Sequence, residues 1–221
     1  MSKGILGRKI GMTQFFDHDQ GLVIPVTIVH VADNVVLQQK NLEKDGYQAT
    51  QLAFETKKEK NTTKPLQGHF SKYNSSPKSF VREIVFNHNT LNELSQLTPG
   101  QIVDINIFNS GDFVDVTGIS KGKGFSGVIK KYNQTIGPKS HGSRFHRRPG
   151  SNGPIKGNQK GKHLPGQMGF HKVTMQNLKI ISIISDKDVL LIKGSIPGPN
   201  KGFVMIKSAV KKTNKEAISH A

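Results

Sequence analysis

The chain has 221 residues, with 32 Lys+Arg against 15 Asp+Glu and a formal net charge of +17. It contains no cysteine, which excludes disulfide scaffolds, Cys-ligated zinc and thiol chemistry, and no apolar run approaches the ~18 residues of a membrane span. With glycine included, about 44% of the residues are apolar, an ordinary globular share, so the charge belongs to a chain that can build a core and meet a polyanion.

The N-terminus, MSKGILGRKIGMT, lacks the apolar stretch of a secretory signal, and a cytoplasmic location is expected. Leu22–Val31 is β-branched and bounded by Gly21 and Asp33-Asn34, so it reads as a strand, with Pro25 pointing to an edge or a bulge. Val35–Lys40 and Tyr47–Glu55 are further strands, the second entered from the Asp45-Gly46 turn. Lys57–Pro77 is polar and reads as an inserted loop or small subdomain. Phe80–Phe86, Ile102–Phe108 and Phe113–Ile119 favour strands, and Gly124–Asn133 a short helix. From Thr135 to Phe170 no hydrophobic period survives, and Gly, Pro, His, Lys and Arg alternate over more than an ordinary loop length. Strands resume at Val173–Ser185, Val189–Lys193 and Phe203–Lys207, followed by a polar tail, Lys211–Ala221. Many short strands and few helices predict a mainly β fold built as a barrel, interrupted by a long basic excursion.

The charge is unevenly placed. Residues 1–115 hold 12 basic and 12 acidic side chains; residues 116–185 hold 13 basic and no acidic ones. A solvated surface normally mixes both signs, whereas a carboxylate facing phosphate would repel it. The acid-free segment is therefore predicted to bind nucleic acid.

Motifs for other chemistry fail on context. Gly122-Lys-Gly124-Phe-Ser-Gly127 matches a dinucleotide fingerprint, but the next acid is Asp186, too far on to hold a ribose. Gly157–Lys162 has the wrong spacing for a phosphate loop, and His163 stands where a magnesium-binding hydroxyl is needed. The histidines His141, His146, His163 and His171 have no carboxylate or cysteine beside them, which argues against a metal and for hydrogen bonds to phosphate or 2′-hydroxyl. His30 and His88, in or beside strand patterns, read as structural. No Ser-His-Asp arrangement or carboxylate pair is evident, so no catalytic residue, cofactor or metal is assigned. The sharpest constellation is His141–Gly150, in which Arg144, Arg147 and Arg148 suit forked phosphate contacts. Phe145 suits either base stacking or local packing.

Several motifs occur in a fixed order: Gly7-Arg8-Lys9-Ile10-Gly11-Met12-Thr13, Asp115–Gly127, Ser140-His141-Gly142-Ser143, Arg148-Pro149-Gly150-Ser151, Pro165–Gly169, Val173–Leu178 and Lys193–Gly198. From about residue 3 to 212 the chain resembles the bacterial large-subunit ribosomal protein L-three family. The resemblance implies a translation-factor-like closed β-barrel with small inserted α+β elements and a long internal extension. It implies direct binding to 23S ribosomal RNA, contacts with neighbouring large-subunit proteins, an early role in subunit assembly, and an extension that reaches toward the peptidyl transferase centre. It implies no enzyme activity, small-molecule substrate or membrane. Carried onto this chain, residues 1–119 begin the barrel, with a polar insertion around 57–100. Residues 120–172 are the extension, with its tip near Ser151–Gly157. Residues 173–211 complete the barrel, and 212–221 form a flexible tail.

The expected phosphate contacts are Lys121, Lys123, Lys130, Lys131, Lys139, Arg144, Arg147, Arg148, Lys156, Lys160, Lys162 and Lys172, joined by Arg8 and Lys9. Gly122, Gly124, Gly150 and Gly153 would let backbone approach the RNA. His141, Phe145, His146, Ser151, His163, Gln167 and Met168 complete the set. Off the RNA, the extension is expected to be disordered. Two departures from the family pattern stand out. Lys131 occupies a position that is usually Arg, and the segment after Gly153 is about three residues short. Gln159 does not align with the methylated glutamine of some relatives, and the modification is not carried over. The rival readings are a free RNA chaperone, or general nucleic-acid binder, and a nucleotide-dependent enzyme built on Gly122–Gly127.

Overall fold

The computed structural model describes residues 3–17, 21–85, 93–154 and 160–212. The end of the strand expected at Phe86, His88, Lys156, the tip from 155 to Gly157, Gln159 and the tail from 213 lie outside the described residues. The chain divides into two compact units, one formed by the segments before and including Ile119 and from Lys172 onward, the other by Ser120–His171.

The first unit is mainly β. Its strands are β1 (Gly4–Asp17), β2 (Leu22–His30), β3 (Val35–Lys40), β4 (Ala49–Thr56), β5 (Lys78–Val85) and β6 (Phe113–Ile119). Two helices lie among them, α1 (Leu42–Asp45) and α2 (Lys64–Lys72). The second unit contributes β7 (Phe125–Ser126), α3 (Val128–Tyr132) and β8 (Gly166–Gln167). The first unit then resumes with β9 (Lys172–Ile184), β10 (Val189–Lys193) and β11 (Phe203–Ser208).

Six strands pair antiparallel in the order β1-β11-β6-β9-β10-β2, and β2 pairs back onto β1, so the hydrogen-bonded ladder returns to its start. Residues 22–25 of β2 run past the end of β10, whose last partner on β2 is Val26. The Pro25 carbonyl accepts from Gly194 N, 2.8 Å. A strand residue's N and O point to the same side, so the nitrogen without a hydrogen faces a stretch where no further ladder bond is required.

The second sheet, β3-β4-β5, shares its core with the ring. Leu52, Phe54 and Ile84 from this sheet join Ile5, Leu6, Val116, Leu190 and Ile206 from the ring in one cluster. This explains why β1 is buried on both faces from Gly4 to Gly7. A Cβ on Gly4 would strike the Ile84 side chain. The opposite face of the sheet is covered by α2, where Phe70 packs with Leu37 and Ala53. Asn34, fully buried, ties the connection after β2 to β1. Its amide nitrogen donates to Leu6 O (2.8 Å) and Val31 O (2.7 Å), and its oxygen accepts from Leu6 N (3.0 Å).

Three elements differ from the sequence reading. The strand expected at Ile102–Phe108 is not one: Ile102 makes a single bridge to Val35, and Ile105–Ile107 is a 3-10 turn whose first free amide, Asn106 N, is capped by Asp104 Oδ1 at 3.2 Å. The apolar residues there are buried at 103, 105 and 108, a spacing set by the turn and not by a pleat. The polar stretch Lys57–Pro77 contains α2, begun by Pro65 in its first turn. The N-terminal motif, given no element from sequence, forms the 14-residue β1.

Candidate nucleic-acid interface

Ser120–His171 begins as a hydrogen-bonded ribbon. Ser120 N donates to His171 O (2.9 Å), Lys123 N to Met168 O (2.9 Å), and Met168 N to Gly124 O (2.9 Å). The pairs Phe125–Gln167 and Ser126–Gly166 continue it as β7 and β8. At Gly169 the two sides come so close that a Cβ would collide with the Lys121 carbonyl, and its φ is +73°. The residues of the dinucleotide-like motif are thus spent on a ribbon, and Phe125 within it is exposed.

The predicted helix Gly124–Asn133 shortens to the five residues of α3, because Phe125-Ser126 are held in β pairing. Val128 anchors it, nearly fully buried, and Asn133 ends it in the left-handed region. The Tyr132 ring stacks on His163, centroids 4.3 Å apart and 11° from parallel, and Lys131 Nζ lies 5.1 Å from the centre of the Tyr132 ring. This places His163 against a side chain, and Lys131 beside the same ring.

Beyond α3 the chain is held by turns. Gly137 N donates to His146 O (3.1 Å), and Ser143 Oγ accepts from Phe145 N (3.2 Å). Phe145 packs over glycine: a Cβ on Gly137 would strike its backbone and ring, and one on Gly150 would lie 3.6 Å from its Cζ. Of the two sequence readings of Phe145, this supports local packing, with part of the ring still exposed. His141 adopts φ 58° in the turn before it. Gly153 N donates to Ser151 Oγ (3.2 Å).

Lys121, Lys123, Lys130, Lys139, Arg144, Arg147, Arg148, Lys160 and Lys162 are exposed, and Lys131 is half-buried. His146, Ser151 and Gln167 are also exposed, while Met168 is half-buried and supplies backbone bonds to the ribbon. The three ion pairs of the described residues all lie in the first unit. Ser120–His171 contains no carboxylate, so no cation there has an acidic partner within its own unit. Lys172, the first residue of β9, is exposed in the first unit.

The N-terminal pair behaves differently. Lys9 is buried, and its ammonium donates to Ile196 O (3.0 Å) and Gly198 O (3.3 Å). The charge, expected from sequence to meet phosphate, is directed here at main-chain carbonyls inside the fold. Arg8 is half-buried, donating from Nη1 to Glu55 Oε1 (2.6 Å) and from Nε to Lys201 O (3.1 Å), with its guanidinium 5.2 Å from the Phe203 ring centre. The sequence reasoning missed Tyr132, Gly137 and Gly169. Gly169 closed the Pro165–Gly169 motif without a role assigned to it, Gly137 was signalled only by glycine density, and Tyr132 gave no signal, because its partner lies 31 positions on.

Comparison with known proteins gives the family. A family model described as ribosomal protein L3 matches residues 78–189. The large ribosomal subunit protein uL3 of Aster yellows witches'-broom phytoplasma is 62% identical over 216 residues, covering 98% of this chain and 97% of its own. This chain belongs to the ribosomal protein L3 family. The uL3 proteins of Acholeplasma laidlawii and Geobacillus stearothermophilus are 58% and 55% identical, each over at least 96% of both chains. The family match includes β5, β6, all of Ser120–His171 and β9. Among the described residues no three His, Asp or Glu side chains group as a metal site, and no helix is long and apolar enough to cross a membrane.

Proposed function

We propose that this chain is a structural constituent of the large ribosomal subunit that binds 23S ribosomal RNA directly through Ser120–His171. One observation carries the reading: a compact unit whose described cations are nearly all exposed and which contains no carboxylate. Such a surface is self-repelling in isolation and is relieved by phosphate. In this reading the six-stranded ring is a translation-factor-like closed barrel that docks on RNA and on neighbouring large-subunit proteins. Arg144, Arg147 and Arg148 fork onto phosphates, and Lys121, Lys123, Lys130, Lys139, Lys156, Lys160, Lys162 and Lys172 neutralise others. The extension, with its tip near Ser151–Gly157, threads between RNA helices toward the peptidyl transferase centre, and its docking supports an early step of subunit assembly in the cytoplasm. The protein positions RNA and performs no chemistry of its own.

Sedimentation of a cell extract tests this. The chain should migrate with the large subunit, and deletion of 139–162 should leave a folded ring but deplete mature large subunits. Migration apart from the subunit would favour the RNA-chaperone reading. Normal subunits with normal peptide transfer in the deletion strain would remove the role given to the extension.

A further inference from the structure

The outer face of β11, β6 and β9, in the first unit, carries a cationic cluster of its own. Register places Met205, Thr117 and Thr174 in one row across the three strands. Lys207 stands one row away, opposite Asp115, and Lys172 stands in the next row on the other side, opposite Ile119. Val114, Val116, Val204 and Ile206 alternate with these positions and fill the core, so Thr117, Met205 and Lys207 face outward.

Lys207 is half-buried, and no carboxylate of the described residues forms an ion pair with it. The only acid in the three strands is Asp115. Both its oxygens are occupied by backbone amides, Asn177 N at 2.9 Å and Val210 N at 3.3 Å. Burial, and then the charge of Lys172, hold the Lys207 ammonium below its ordinary pKa. A half-buried cation beside another cation costs stability in the free protein. Between the two lysines the Thr117 and Thr174 hydroxyls meet at 2.8 Å. That contact uses one of their two hydrogens and leaves the other hydroxyl able to donate outward.

We propose that this face is a second RNA-backbone site, in which Lys207 and Lys172 each neutralise a phosphate of one strand and the Thr117–Thr174 pair between them donates to a phosphate or ribose oxygen. The surface is an open pleated face with half-buried Met205 and exposed Ile119 alongside, which suits an extended sugar-phosphate strand with apolar contact to its riboses. The proposal rests on the reading of the chain as an RNA-binding protein and adds residues outside the basic extension to it.

The test uses the full chain and 23S ribosomal RNA transcript, with affinity measured across a salt series. Lys207→Gln and Lys172→Gln should each make the plot of log affinity against log salt shallower by about 0.7–0.9, one phosphate's share. Lys207→Arg should restore the slope, and Lys60→Gln, on the polar insertion, should leave it unchanged. Lys207→Gln should not lower the melting temperature, since it removes an uncompensated charge. Acetylation footprinting gives a second readout: RNA should protect Lys207 and Lys172, and millimolar inorganic phosphate alone should not. A wild-type slope in Lys207→Gln, with no protection of Lys207 by RNA, overturns the proposal while the RNA reading stands. Equal protection by inorganic phosphate overturns it in favour of a small-anion site. A flat salt response of the wild type overturns the RNA reading itself.

Discussion

Tyr132 and His163 stack face to face at 4.3 Å across a connection of thirty residues, with Lys131 beside the tyrosine ring. In a segment with almost no buried apolar side chain, this contact closes the loop that carries the three arginines. The ribbon, Val128 and this stack form an internal frame at the base of the segment.

Removing the stack should loosen the loop and leave the ribbon in place. An aromatic pair contributes about 0.5–1.5 kcal/mol beyond its buried area. Tyr132→Ala or His163→Ala should therefore speed amide exchange at Gly137 by about 2- to 13-fold. Exchange at Val29, in the ring, should stay as it was. Unchanged exchange at Gly137 would show that the stack does not restrain the loop.

Gly169→Ala should open the ribbon. The left-handed backbone alone costs a non-glycine residue about 1–2 kcal/mol, and the added Cβ meets the Lys121 carbonyl. Brief trypsin treatment should cut after Lys121 or Lys123 at least about fivefold faster, the equivalent of ~1 kcal/mol. Gly124→Ala is the graded comparison: its φ is +66°, with nothing within 4 Å of the new Cβ. It should accelerate cleavage less. Equal cleavage in both variants would mean that strain, and not the collision, governs the ribbon.

Asn34→Ala should be among the more damaging single changes to the first unit. It leaves Leu6 N, Leu6 O and Val31 O without their buried partner. At about 1–3 kcal/mol for each buried group left unpaired, the loss is at least ~3 kcal/mol. Urea denaturation should show a lower midpoint with an unchanged slope, since the surface exposed on unfolding stays the same. A midpoint within error of wild type would mean that water replaces the amide.

What the sequence disclosed and what it hid follow from the range of the forces involved. β2, β6, β10 and β11 were legible because β-branched runs bounded by turn residues declare themselves locally. β1 was hidden because GILGRKIGMTQFFD has no alternation: its first residues are buried on both faces, and glycine serves close approach to Ile84 there. α2 was hidden because its burial depends on one residue, Phe70. The cationic face of Ser120–His171 was legible because the absence of acids is a property of sequence alone. Contacts between distant positions, such as Tyr132 with His163 or Thr117 with Thr174, leave no local pattern.

Lys9 marks the limit of reading charge from sequence, and it carries the last prediction. A lysine beside an arginine in a strongly basic protein reads as a phosphate contact. A bulge changes its role: the β1–β2 register shifts between Lys9 and Gly11, which leaves Ile10 as the extra residue and exposed. Lys9 stays inward, and its ammonium joins the carbonyls of Ile196 and Gly198, while its own main chain bonds Lys201 and Gly202. One side chain thus fastens β1 to the connection between β10 and β11. Lys9→Met keeps most of the apolar stem but strands two carbonyls, at a cost of about 2 kcal/mol or more. Its urea midpoint should fall, and the salt slope of RNA binding should match wild type. A slope shallower by about 0.7–0.9 with unchanged stability would return Lys9 to the RNA-binding set.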